Sequence, residues 1–225
     1  MSQLDLDHIS RQLESEHTGD RMVALALLKD ASPQEAVPLI KKVLNDESLQ
    51  IRSMAVFSLG IKATDECYPL LVDILASDAD YSIRAGAAGA LGYLEDPRAL
   101  EPLNRAFLED TDWLVQFSAA VALGNLKDPR AYDVLMEALN SPEIVIQQAA
   151  IAALGEIGAV DAVERILDFA QAEDWIIRQR LAEALGHMPT EKSLSALRYL
   201  EKDNHPNVAA AATFSMQHLS QSDIS

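Results

Sequence analysis

Aromatic residues that recur at one position of a sequence repeat are the side chains best suited to bind a flat ligand. Tyr81, Trp113 and Trp175 occupy equivalent positions in three repeats of the chain. Each is predicted to open a helix beside an acidic capping residue. The rings therefore either wedge between adjacent repeats or present a stacking surface to a flat ligand or a protein partner.

The sequence has few other groups arranged for chemistry. It lacks the spaced motifs of zinc proteases, dinucleotide-binding folds, P-loops, serine hydrolases and thiol redox proteins. Its histidines are scattered singly, so no metal site is predicted. His187 follows a predicted turn and is interpreted as a proton donor at an interhelical loop or as a solvent-facing turn residue. Cys67, the single cysteine, lies among apolar residues and is interpreted as a packing residue.

Charge and composition narrow the range of partners. Lys and Arg number 18 against 35 for Asp and Glu, and the net charge of −17 disfavours nucleic acid and anionic membranes. No stretch approaches the roughly 18 consecutive apolar residues of a membrane span. The acidic N-terminus is unlike a signal peptide, and a single cysteine is typical of a reducing compartment. We therefore expect a cytoplasmic protein.

A repeat of about 31 residues organises the chain. The tripeptides SLG and ALG end at regularly spaced glycines: Gly60, Gly92, Gly124, Gly155 and Gly186. Within each unit, apolar residues recur twice at helical spacing, with a break at segments such as GYLEDPR. Each unit is therefore predicted to be a helical hairpin. In DPR the aspartate is placed to cap the second helix, and the proline takes its first position.

The repeat predicts an all-α fold. The pattern DxxxIRxxAxxALGxLxDPRAxxPL indicates an α-solenoid of about seven short HEAT-like hairpins, stacked as a curved, right-handed superhelix. One domain is predicted over residues 1–219, with an N-terminal capping helix at about 4–15. Residues 220–225 are predicted to be a disordered tail.

One column of the repeat contains four arginines: Arg21, Arg52, Arg84 and Arg178. Carboxylates stand just ahead of this column: Asp46, Asp80, Asp112 and Asp174. In stacked hairpins such residues can pair from one unit to the next, and we interpret the column as a structural ladder.

A solenoid of this kind binds partners through an extended concave surface, which we expect the second helices to line. These helices have exposed charges of both signs, among them Glu101, Arg105 and Arg165. Such a strip suits a protein partner or an amphipathic ligand with carboxylates. It is equally consistent with ordinary solvated helix faces.

Two segments, IRAGAAGALGYLEDPRALEPL and TDWLVQFSAAVALGNLKDPRAYDVLMEAL, resemble the repeats of the cyanobacterial phycobilisome-lyase HEAT-like family. That family includes the E/F-type bilin lyases and the non-bleaching B type of phycobilisome-degradation protein. The similarity extends from about His17 to about Met188. The chain length and the order of DWLVQFSAAVALG, DPRAY and DWIIRQRLAEALG are most similar to the degradation type.

The resemblance implies a protein that handles linear tetrapyrroles on phycobiliproteins. It implies no resident cofactor, but phycocyanobilin or a related bilin as a potential ligand. Cations that could bind the bilin propionates are Arg98, Arg105, Arg130 and Arg165. Rings that could stack on the pyrroles are Tyr132, Trp113 and Trp175. No family motif assigns a catalytic residue to this chain.

Three functions follow from these observations. The first is chromophore detachment during phycobilisome degradation, and the second is bilin attachment as a lyase subunit. The third is a non-enzymatic adaptor or scaffold. The expected partners are phycobiliprotein subunits or other phycobilisome proteins, and either a homo- or a hetero-oligomer is compatible with the sequence.

Overall fold

The computed structural model describes residues 5–222, which form fourteen α-helices and no strand. The first seven are α1 (Leu6–Gln12), α2 (Thr18–Leu27), α3 (Pro33–Lys41), α4 (Leu49–Lys62), α5 (Cys67–Ser77), α6 (Tyr81–Leu94) and α7 (Leu100–Glu109). The others are α8 (Trp113–Asn125), α9 (Tyr132–Ala138), α10 (Ile144–Glu156), α11 (Val163–Ile166), α12 (Trp175–Leu185), α13 (Glu191–Leu200) and α14 (Pro206–Ser222). None of the helices in this part of the chain is long and apolar enough to cross a bilayer.

The helices form two stacked layers. Successive even-numbered helices pack against one another, and most of them also pack against the odd-numbered helix that precedes them, as α6 does with α4, α8 and α5. The described chain thus contains seven antiparallel helix pairs, and the predicted α-solenoid is confirmed. Between the layers lies one continuous core, to which each repeat adds the same apolar column, including Ile51, Ile83, Val115 and Ile146.

Aspartates start several of the helices, as their sequence positions predict. The Asp80, Asp112 and Asp174 carboxylates accept hydrogen bonds from the first-turn amides of α6, α8 and α12. The two DPR segments differ from the prediction in one detail. Asp96 and Asp128 do cap, but each proline opens a 3-10 turn, and α7 and α9 begin three residues after it.

A seam of small residues joins successive even-numbered helices. The glycine that ends each ALG or SLG motif lies against a small residue of the next even helix, in most repeats an alanine. A Cβ added at Gly92 would lie 2.9 Å from the Cα of Ala122, and one added at Gly155 would lie 2.7 Å from the Cα of Ala184. Only glycine fits at these positions, because the two helix backbones are already in contact.

This seam determines which layer is the inner one. The even-numbered helices touch through backbone and methyl groups, whereas odd-numbered neighbours such as α5 and α7 contact each other much less. In an arched stack of two layers, the more closely spaced layer lies on the inside of the curve. The even-numbered helices therefore form the concave face, and the prediction that the second helices of the hairpins line it was wrong.

The two ends of the array differ from the expected boundaries. The first helix is shorter than the predicted capping helix, because it covers Leu6–Gln12, and residue 4 lies outside the described residues. At the other end, α14 continues to Ser222, so residues 220–222 belong to a helix instead of a tail. Residues 223–225 lie outside the described residues.

Candidate functional site

The concave face of the N-terminal half is covered by exposed apolar side chains. We call these residues the inner apolar patch: Val23, Leu27, Phe57, Ile61, Tyr93 and Val121. Phe57, Ile61 and Tyr93 are 54, 59 and 62% exposed, and the rings of Phe57 and Tyr93 meet edge to face at 6.4 Å. An exposed apolar patch of this kind is typical of a binding surface.

The patch is also free of charge, although the protein has a net charge of −17. Every exposed residue of α4, α6 and α8 is uncharged. Water-exposed helices normally present Lys, Glu, Arg or Asp. Three neighbouring helices of the even-numbered layer without an exposed charge are therefore unusual. The surface therefore suits a ligand or partner that buries apolar area.

A groove of about 600 Å³ continues from this patch across α6, α8, α10 and α12. At its N-terminal end it is lined by Tyr93, Phe117 and Val121, and at its C-terminal end by Gln148 and Arg180. Two ion pairs lie at or next to the C-terminal end of the groove. Lys127 lies 3.8 Å from Glu156, and Arg180 lies 2.8 Å from Glu183. The lining also includes the carboxylates of Glu95 and Glu156, so the groove presents apolar side chains beside charges of both signs and can hold an amphipathic molecule.

The residue that follows each repeat glycine shows the same change of polarity along the array. These residues are, in order, Ile61, Tyr93, Asn125, Glu156 and His187, and His218 holds the equivalent place in α14. The exposed His187 ring lies 5.6 Å from that of His218, whose Nδ1 is 3.1 Å from the Gly186 carbonyl oxygen. His187 is therefore a turn residue at the polar end of the concave face. Within the described residues, no three His, Cys, Asp or Glu side chains converge on a metal-sized site.

The predicted aromatic column lies on one edge of the solenoid and not on its concave face. Tyr81 and Trp113 open α6 and α8 and are about half exposed. Trp175 is different, because its ring stacks on His205 of the next repeat at a centroid distance of 4.0 Å and an interplanar angle of 13°. Trp175 packs between repeats, whereas Tyr81 and Trp113 remain available for contact.

Two of the predicted propionate-binding arginines are bound to their own capping residues. Arg98 and Arg130 each donate side-chain hydrogen bonds to the aspartate two residues earlier, and these bonds lower the pKa of Asp96 and Asp128. The Arg98 guanidinium also lies 4.4 Å from the centre of the Tyr68 ring. Both arginines are exposed and sit in the turns that follow α6 and α8.

The remaining predicted residues lie on the odd-numbered layer. Arg165 pairs with Asp168 at 2.8 Å and donates to Asn140 at 2.9 Å. Arg105 is exposed in a separate groove of about 490 Å³ between α5 and α7. Tyr132 opens α9 and is half-buried.

The structure does not bring these arginines together with Trp113 and Trp175, although Tyr132 lies only two residues after Arg130. Arg98 and Arg130 follow the C-terminal ends of α6 and α8, whereas Tyr81 and Trp113 mark the N-terminal ends of the same helices. A 14-residue helix such as α6 is about 20 Å long. The cations that line the concave groove are instead Lys127 and Arg180, which were not among the predicted residues.

The arginine column forms inter-repeat ion pairs, although most partners differ from the expected ones. The nitrogen–oxygen distances are 2.8 Å for Arg21–Asp46, 3.8 Å for Arg52–Asp78, 2.7 Å for Arg84–Asp110 and 2.7 Å for Arg178–Asp203. Each arginine also donates to a backbone carbonyl six residues earlier. Gln116 and Gln147, which replace arginine in two repeats, keep only this carbonyl bond.

Sequence reasoning missed the inner apolar patch because it assigned the concave face to the wrong helices. A usable signal was present, since Phe57 and Val121 precede a repeat glycine by three residues, and Ile61 and Tyr93 follow one directly. Large apolar residues occupy these two positions in the N-terminal repeats, and Phe214, which is 72% exposed, holds the first of them again in α14. An apolar residue outside the buried column of a repeat indicates an exposed apolar surface.

Comparison with solved structures identifies a lyase subunit as one relative. A chain in the structure of the complex of CpcE and CpcF of phycocyanin lyase from Nostoc sp. PCC7120 is 26% identical, with a TM-score of 0.66, and the match covers 78% of this chain and 74% of that one. Comparison with curated protein sequences gives no match.

Two further structures share the solenoid fold at lower identity. One contains Kap95p bound to RanGDP, with 14% identity and a TM-score of 0.66 over 98% of this chain but only 36% of the other. The second is a designed armadillo repeat protein in complex with the peptide (KR)4, with 20% identity and a TM-score of 0.52 over 96% of this chain and 100% of the other.

The family is established by the repeats themselves. The sequence profile of HEAT repeats matches residues 68–154 and again residues 132–217. Together the two matches span residues 68–217, about two thirds of the 225-residue chain. The seven stacked helix pairs and the recurring geometry of the glycine seam agree with this match. This chain belongs to the HEAT-repeat proteins.

Proposed function

We propose that this chain is a phycobilisome lyase-like HEAT-repeat protein that binds a phycobiliprotein through its concave face. The observation on which this rests is the uncharged inner apolar patch, on a solenoid that is 26% identical to a chain of the CpcE–CpcF phycocyanin lyase complex. An apolar concave face buries area on a partner without requiring long-range electrostatic attraction. This matters because a charge of −17 would repel an acidic partner.

The groove extends the proposal to the chromophore. A linear tetrapyrrole has flat apolar rings and two propionate groups on its central rings, so it needs both aromatic contacts and cations. Tyr93 and Phe117 supply the former, and Lys127 and Arg180 supply the latter, within one groove of about 600 Å³. We propose these four residues as the bilin contacts, in place of the arginines predicted from the sequence.

Within this role we propose that the protein detaches bilin during phycobilisome degradation. The support is the resemblance of its repeats and length to the degradation-type members of the lyase-like family. Detachment breaks the thioether bond that a lyase forms, so both reactions need the same contacts to the chromophore. No residue is assigned a catalytic role in the proposal.

A second candidate function is that of an adaptor without catalysis. It is favoured by the composition of α4, α6 and α8, whose exposed residues are all uncharged, because such a surface suits contact with another protein. A third role, as one subunit of an attaching lyase, is suggested by the relative being solved as a complex of CpcE and CpcF.

The experiment mixes the purified protein with phycocyanin and, separately, with free phycocyanobilin. Visible absorbance, zinc-stained gels for covalent bilin and size-exclusion chromatography are followed together. Loss of covalent bilin supports detachment, gain of it supports attachment, and co-elution with unchanged pigment supports the adaptor. Absence of binding to both phycocyanin and phycocyanobilin would contradict the proposal.

A pair of surface variants locates the binding face. Phe57→Ser with Tyr93→Ser removes two rings that are more than half exposed, so the fold should be retained while binding weakens by about tenfold or more. The matched control is Tyr199→Ser, which removes a 55% exposed ring from α13 in the outer layer. Equal loss of binding in both variants would show that the concave face is not the contact surface.

A further inference from the structure

A second apolar surface lies along the edge where the even-numbered helices begin. Its members open α4, α6, α8 and α10, one in each of four successive repeats, and are exposed by 42, 49, 48 and 50%, respectively: Leu49, Tyr81, Trp113 and Ile144. We call this row the edge ridge. It is separate from the inner apolar patch, which lies in the middle and at the C-terminal ends of α2, α4, α6 and α8.

The ridge stops where the protein covers it with its own residues. The next member of the column is Trp175, and the His205 ring stacks on it at 4.0 Å. The residue equivalent to His205 beside Trp113 is Glu143, and beside Tyr81 it is Asp112, neither of which can stack. Trp113 and Tyr81 are thus left without the ring partner that Trp175 has, and their faces are open to another molecule.

The loops that border the ridge are strongly acidic. Residues 45–48, 78–80, 109–112 and 140–143 contain eight carboxylates and no lysine, arginine or histidine. Asp46, Asp78 and Asp110 are paired with the arginine ladder. The other five are Glu47, Asp80, Glu109, Asp112 and Glu143; among these, only Glu47 has an ion-pair contact, at 3.9 Å from Arg21, and its side chain is 88% exposed.

We propose that the edge ridge docks a basic amphipathic helix of a protein partner. Apolar residues two turns apart in an α-helix are separated by about 10.5 Å, close to the distance of about 8–10 Å between packed helices such as α6 and α8. A helix laid along the edge can therefore place one apolar residue on each member of the ridge. Its Lys and Arg residues then face the carboxylates of the loops that border the ridge.

The length of the partner follows from the same geometry. Four ridge residues span three intervals, or about 30 Å, which corresponds to a helix of about 20 residues. Tyr81 and Trp113 are the central members and have the largest apolar surfaces, so they are expected to contribute most of the affinity. The outer members, Leu49 and Ile144, complete the apolar row.

The test uses a labelled 22-residue peptide with leucine at every seventh position and Lys and Arg on the flanking positions. The control peptide has the same composition with the leucines scrambled. In a Trp175→Phe background, Trp113 is the single tryptophan, so a blue shift of its emission reports contact at the ridge directly. We expect this shift with the amphipathic peptide only, and an affinity that falls as salt is raised.

Fluorescence anisotropy of the labelled peptide then separates the two surfaces. Tyr81→Ser with Trp113→Ser should weaken binding by about tenfold or more, whereas Phe57→Ser with Tyr93→Ser should leave it unchanged. Circular dichroism checks that both variants are folded. Equal binding of the scrambled peptide, or undiminished binding by a folded Tyr81 and Trp113 variant, would overturn the proposal. Loss only in the Phe57 and Tyr93 variant would move the docking site to the concave face.

Discussion

Two glycines of α6, three residues apart, are predicted to respond in opposite ways to the same substitution. A Cβ at Gly92 would lie 2.9 Å from both the Cα and the Cβ of Ala122, whereas a Cβ at Gly89 has nothing within 4 Å. The usual carbon–carbon contact is about 3.5–4.0 Å, so Gly92→Ala intrudes by nearly 1 Å. Because part of the obstacle is backbone, α8 has to shift.

The expected change in the free energy of unfolding follows from two opposing effects. Overpacking costs about 1–3 kcal/mol, and the upper value applies where the obstacle cannot rotate away. Replacing glycine by alanine within a helix raises the free energy of unfolding by about 1 kcal/mol. Gly92→Ala should therefore lower the free energy of unfolding by about 2 kcal/mol, while Gly89→Ala should raise it by about 1 kcal/mol.

Urea unfolding of the wild type and both variants measures the difference. Circular dichroism and tryptophan fluorescence are recorded in parallel, because coincident transitions justify a single free energy of unfolding. With a urea dependence of about 2 kcal/mol per molar, Gly92→Ala should lower the midpoint by about 1 M. If both variants are stabilised alike, the close approach of α6 and α8 is refuted, and with it the assignment of the concave face.

Four further substitutions test other contacts. Lys127 has a left-handed backbone with φ of 51°, as does the equivalent Gly158 with φ of 64°, so Lys127→Gly should stabilise by up to about 1 kcal/mol and Gly158→Ala should destabilise by about as much in urea titrations. The hydrogen bond from Arg84 lowers the pKa of Asp110, so their pair contributes stability at neutral pH that is lost as the pH falls through the lowered value. Arg84→Gln should therefore flatten the decline in urea midpoint between about pH 5 and 2 relative to the wild type. Lys62 is buried and donates to two backbone carbonyls, so Lys62→Met should cost about 1–3 kcal/mol, and a change below about 0.5 kcal/mol would contradict that role.

The fold could be predicted from the sequence because its main determinants repeat. The glycine column, the apolar column and the capping aspartates each recur from one repeat to the next, so each position is supported by several copies. The start of α8 illustrates this, because Asp112 caps it as Asp80 caps α6. Helix content and the number of helix pairs depend on such local features.

The functional surface could not be predicted in the same way. Which helix layer faces inward depends on contacts between residues of neighbouring repeats, such as Gly92 with Ala122, and the sequence shows only that both are small. The partners of the arginine ladder show the same limit. Asp78 and Asp80 both lie just ahead of Arg84 in sequence. In the folded chain, however, Asp80 caps the start of α6, whereas Asp78 pairs with Arg52 of the preceding repeat.

The contact seam also sets a mechanical limit on the whole array. Along the inner row, glycine and alanine backbones already touch, so these helices cannot come any closer. The outer row has no such obstacle, since its helices are joined by fewer contacts. The curvature of the solenoid is therefore at its maximum, and the array can change shape only by becoming straighter. A large ligand can separate the repeats, but further bending cannot bring the concave face closer to a small ligand.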